Sequence, residues 1–133
     1  MTTTTTTKTR IQVTGLDHVV LHVRELSRSR HFYTEVLGMP VHHETATQCF
    51  VQCGNQLLAL FEKKDGEIHP GQGLDHLGID IAEGTYESLK AGLDEAGVAL
   101  DGQPGHLRAY VHDPDGHRLQ LLMPGHRAAR NPG

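Results

Sequence analysis

The sequence predicts an α+β fold of two tandem βαβββ modules, their strands forming a curved mixed sheet cup with helices on the outer face. Three observations predict it. The stretch "GLDHVVLHV" (Gly15 to Val23) returns as "GLDHLGIDI" (Gly73 to Ile81). A helical pattern closed by glycine follows each copy. Short alternating segments follow each helix.

The repeated stretches read as strands by their period of two. Val19, Leu21 and Val23 share one side, and His18, Val20 and His22 the other. In the second copy Leu77, Ile79 and Ile81 oppose His76, Gly78 and Asp80. Each strand thus has one apolar face and one mixed face that begins with histidine. "ELSRSRHFYTEVLG" and "TYESLKAGLDEAG" carry apolar stripes at helical spacing and end at Gly38 and Gly97, as left-handed C-caps do. The strands expected next are "PVHHETA", "QCFVQCG" and "QLLALFEK", then "VALDG", "LRAYVHD" and "RLQLLMP". The expected boundaries are a disordered leader and lead-in over 1–14, a first module over 15–64, a Gly/Pro-rich linker over 65–72, a second module over 73–124 and a loose tail over 125–133. Together they make one structural domain, which 133 residues suit.

Composition excludes several classes. Net charge is −4 and no basic stripe is interleaved with aromatics, so no nucleic-acid partner is expected. No apolar run is long enough to span a membrane. "MTTTTTTKTR" lacks the apolar region of a secretory signal, so a cytoplasmic setting is expected. Cys49 and Cys53 fall on one expected strand, about 13 Å apart, too far for a disulfide. Histidine is abundant, at eleven residues, and the question is which of them are placed.

"LDHVVLHV", "HFYTEVLGMPV", "GNQLLALFE", "LDHLGIDI" and "YVHDPDGHRLQLL" together resemble the vicinal oxygen chelate superfamily over residues 15–123. That superfamily includes glyoxalase I, extradiol dioxygenases, fosfomycin-modifying thiol transferases, methylmalonyl-CoA epimerase and bleomycin-binding proteins. The resemblance implies a divalent metal (Fe, Mn, Ni or Zn) held by one position on each of four strands. Two of these map onto His18 and His76. The third, usually glutamate after "DPDG", is Gln120, and the fourth maps onto Ala59, whose side chain cannot bind metal. His18, His76 and Gln120 are therefore the expected ligands, with open positions for a small oxygenated substrate.

The missing carboxylates argue against glyoxalase I proper, which needs a base, and break the two-histidine, one-carboxylate triad of ring-cleaving dioxygenases. A dioxygenase-like or lyase-like enzyme is the leading expectation. A metal-free drug-binding or small-molecule-binding module is the alternative. His22, Asp80 and Tyr110 are candidate catalytic residues, and Arg108 and Tyr110 share a strand face suited to an anionic or phenolic substrate. Glu62 is expected to point away from the cup and Glu44, beside His42 and His43, to lie on an exposed strand edge. His112 is expected near a strand end and His117 solvated in a turn. A homodimer is expected.

Overall fold

The structure, a computed structural model, describes residues 11–130, so residues 1–10 of the leader and lead-in expected over 1–14 lie outside the described residues. The two-module α+β architecture is present. Strand β1 (His18–Val23) leads into helix α1 (Leu26–His31), which continues as a π-helical turn over Phe32–Val36. Strands β2 (Val41–Glu44), β3 (Gln48–Cys53) and β4 (Gln56–Glu62) complete a four-stranded sheet in the order β1-β4-β3-β2. The second module repeats this with β5 (Leu77–Asp80), α2 (Tyr86–Glu95), β6 (Arg108–His112) and β7 (Arg118–Leu122), in the order β5-β7-β6. In both sheets the first and last strands run parallel and the hairpin is antiparallel.

Two expectations are corrected. "VALDG" forms only an isolated bridge, Asp101 to Tyr110, so the second module is one strand short and the strands lie in two separate sheets. The chain passes so close there that a Cβ on Gly102 would stand 2.9 Å from that of Ala109. Within the loose tail expected over 125–133, His126–Arg130 form helix α3, and residues 131–133 lie outside the described residues. His126 is buried and its Nε2 meets Asp80 Oδ1 at 2.7 Å, which fixes the helix to the end of β5.

The apolar alternation places the core. Leu21 and Val23 of β1, Leu58 and Leu60 of β4, Val111 of β6 and Leu119 and Leu121 of β7 form one cluster with Phe32, Tyr33 and Leu93. Helix α1 therefore covers its own sheet and also reaches the second module. Tyr33 Oη donates to Asp113 Oδ2 at 2.7 Å in a fully buried contact. Burial, then the charge of Asp113, pushes the Tyr33 phenol well above its ordinary value.

The "DPDG" turn is the joint between modules. Asp113 Oδ1 accepts from the backbone of Asp115 and His117, an Asx turn that Gly116 closes at φ 93°. Asp115 accepts from the Arg24 amide, the Arg28 guanidinium and the Ser29 hydroxyl. Glu62 likewise points to the helix side and accepts from the Leu26 amide at the start of α1. Thr85 and Ser88 cap α2 reciprocally.

Candidate metal and substrate site

Each module presents its mixed face outward from the common core. On the first, His18, Val20 and His22 are exposed, and His18 stands edge-on to Phe50, 5.9 Å between ring centres. Phe50 also stacks on His43 at 4.2 Å and meets Phe61 edge-on. Ala59 is fully buried between Val20 and Phe50 in the sheet register. Glu44 is bound to Arg30 through two oxygens and is not grouped with His42 and His43 as a ligand.

On the second face, His76, Tyr110 and Gln120 come together. Gln120 lies opposite Gly78 on β5 and opposite Tyr110 on β6. Its Nε2 donates to the Tyr110 hydroxyl at 2.8 Å, and its carbonyl oxygen has no hydrogen-bond partner among the described residues. A Cβ on Gly78 would lie 3.2 Å from Leu122 Cδ1 and 3.8 Å from that oxygen, so the glycine lets the Leu122 and Gln120 side chains pack close to β5. His76 stands edge-on to Tyr110 at 5.9 Å. The Arg118 guanidinium lies over the Tyr110 ring at 3.7 Å, the geometry of a cation–π contact, and reaches Asp75 at 3.7 Å. Arg108 shares this strand face with Tyr110, two residues away.

Both candidate metal-binding histidines are oriented in the same way. Asp17 Oδ2 meets His18 Nδ1 at 2.8 Å, and Asp75 Oδ2 meets His76 Nδ1 at 2.7 Å. The hydrogen bond from His76 lowers the Asp75 carboxyl below its ordinary range, with the charges of His76 and Arg118 adding to it. Asp17, Asp75 and Arg118 were not singled out from the sequence. The aspartates are the third letter of the repeated "GLDH", and Arg118 is in phase with Gln120, so both signals were present.

Other candidates are placed differently from expectation. Asp80 is held by His126 and by Arg127, both at 2.7 Å, and the His126 bond is the main cause of its lowered carboxyl value. It anchors α3 and is not a free proton-transfer group. His22, its counterpart in the repeat, has no side-chain partner among the described residues. His117 is not simply solvated: its Nε2 contacts the His22 carbonyl oxygen at 2.7 Å. The cysteines are free thiols, and burial pushes both above the ordinary range.

Two imidazole nitrogens and a neutral amide oxygen suit a borderline divalent metal, though with less charge than a carboxylate would bring. Within the chain the set is incomplete. Among the described residues His18 shares no hydrogen bond or ring contact with His76, and no group of three or more His, Cys, Asp or Glu is arranged to hold a metal ion.

Paired modules with a histidine at the same point of each open sheet face define a duplicated βαβββ protein. The chain belongs to the Glyoxalase/Bleomycin resistance protein/Dioxygenase superfamily, whose model matches residues 15–121. It is 34% identical over 120 residues to the glutathione transferase FosA of Serratia marcescens, across 87% of this chain and 84% of that protein. It is 29% identical over 117 residues to the metallothiol transferase FosB of Staphylococcus haemolyticus, across 82% and 83%. The solved glyoxalase I of Leishmania major shares the fold with a TM-score of 0.72 over 90% of this chain and 92% of that one, at 24% identity. No helix among the described residues is long and apolar enough to cross a membrane.

Proposed function

We propose that this protein is a metal-dependent enzyme of thiol-transferase type acting on a small anionic, oxygen-bearing substrate. In this reading His18, His76 and Gln120 hold a divalent cation. A homodimer assembles the site, with the first-module face of one protomer against the second-module face of its partner. The observation that carries the reading is the convergence of His76, Gln120, Tyr110 and Arg118 on one open face, while His18 waits on the other.

The cation would supply Lewis-acid polarisation of a substrate oxygen. The chain's own residues do the rest. Arg108 and Arg118 bind an anionic group of the substrate. Tyr110 accepts from Gln120, so its own O–H is left to donate to an oxygen that gains charge. Phe50 and Phe61 supply an apolar wall. The chain lacks an available thiolate, because burial holds Cys49 and Cys53 in the thiol form. In this reading the nucleophile comes from a thiol co-substrate, and His22 on the same strand face as His18 is the candidate acceptor of its proton. Thiol transfer is favoured over dioxygenase-like chemistry by the names of two relatives, a glutathione transferase and a metallothiol transferase. It needs no redox-active metal.

Thiol consumption with glutathione and fosfomycin, measured after loading with Mn, Zn, Ni or Fe, tests the reading. Metal-dependent consumption that Tyr110→Phe depresses is the expected result. Stoichiometric metal with oxygen uptake on a catechol would favour ring cleavage instead. Ligand binding that survives a His18→Ala/His76→Ala double substitution would favour the metal-free binding module.

A further inference from the structure

We infer that Asp17 and Asp75 are paired positioning residues, which fix the tautomer of His18 and His76 so that each ring presents a bare Nε2 lone pair to its ligand. The inference rests on the reading that both histidines are ligands, and it explains how a site without a carboxylate ligand is supported.

Both bonds are made to the same ring atom, Nδ1, at 2.8 and 2.7 Å. An ionised carboxylate only accepts, so the proton of a neutral imidazole must lie on Nδ1 and the lone pair on Nε2. The arrangement occurs twice, at equivalent places in two modules whose other mixed-face residues differ. The two aspartates are highly exposed, 87% and 76% at their side chains, so core packing does not press them against the rings. Asp75 is itself held by Arg118 at 3.7 Å, which links His76 to the Tyr110 ring. The ligand positions lack both acids, since they carry Ala59 and Gln120. Asp17 and Asp75 return two negative charges one atom layer further out, where they raise imidazole basicity without occupying an open position. Outer carboxylates on metal-bound histidines act in this way generally.

The test is tautomer-resolved nitrogen NMR of the imidazoles in metal-free protein, at a pH where the rings are neutral. Wild type should show Nδ1–H tautomers at both His18 and His76. Asp17→Ala should release only His18 and Asp75→Ala only His76 to mixed tautomers. Asp75→Asn, which keeps an acceptor, should hold the Nδ1–H form. Unchanged tautomers in both alanine variants would overturn the inference. In parallel, Zn or Mn affinity should fall about 10- to 100-fold in each alanine variant, and less in Asp75→Asn. An affinity equal to wild type in the alanine variants would also overturn it. Shifted tautomers in a protein whose wild type takes up no metal would instead remove the metal reading, and would leave the orientation of the rings established on its own.

Discussion

The two mixed faces can be compared position by position, because the sheet registers align them. In the first module Val20 faces Ala59, and Ala59 faces Phe50. In the second Gly78 faces Gln120, and Gln120 faces Tyr110. Large and small residues have exchanged places between the first and last strands, so each face keeps a similar bulk. The chemistry has separated. Phe50 becomes Tyr110, Ala59 becomes Gln120, and the first face turns apolar while the second gathers hydrogen-bonding groups. Only the Asp–His pair is kept in both. A duplicated device has thus become two unlike halves, one with an apolar aromatic wall and one polar, each bringing one histidine paired with an aspartate.

The largest effect should come from the retained histidines. His18→Ala and His76→Ala should each weaken metal binding more than about 100-fold, since losing even an outer partner costs up to that much. Titration calorimetry checks it. An effect confined to His76 would break the comparison by making the first half a bystander.

The joint beneath the halves comes next. Asp113→Ala strands the buried Tyr33 hydroxyl and two backbone amides, and should cost about 3 kcal/mol in chemical denaturation. The β3–β4 turn around Gly54 has no buried acid of this kind. Alanine at Asn55 there should therefore cost less than about 0.5 kcal/mol, as ordinary surface changes do.

Gln120→Glu should tighten metal binding by about tenfold or more, roughly 1.4 kcal/mol, because it restores a charged oxygen. Unchanged affinity would place Gln120 outside the metal's reach.

The smallest effect concerns Asp80, where the second module differs from His22 of the first. Its carboxyl is held low in the folded chain, chiefly by His126. Its contribution is therefore complete above the ordinary carboxyl range and is lost as pH falls through the lowered folded value. Amide exchange in α3 should quicken over that acidic window alone, and the change should vanish in Asp80→Asn. With Asp80 largely exposed, global stability should barely move.

Much of the fold was legible because it rests on local signals. The apolar alternation of "HVVLHV", the stripe through "YESLKAGL" and the left-handed caps at Gly38 and Gly97 each specify an element without distant help. The features that needed tertiary contact were not legible. The helix at His126 depends on a bond to Asp80, which lies far back in the chain. "VALDG" has strand residues, but it pairs only at Asp101 with Tyr110, and the close approach of Gly102 to Ala109 is a tertiary contact. The "DPDG" motif marked the family, yet its acids serve the joint with α1, which only the packing reveals. At the site, repeat symmetry found His18 and His76. The same symmetry carried Asp17 and Asp75, but both lie just before the strands, where period-two alternation no longer says which way a side chain points.

The central claim, a site shared between two chains, meets its most direct test in a mixed dimer. His18→Ala and His76→Ala chains, each unable to bind metal alone, would be co-expressed and the heterodimer isolated through two different tags. A shared site predicts one intact ligand set, and so one metal ion per heterodimer. A site contained within each chain predicts none, and a metal-free heterodimer would contradict the account.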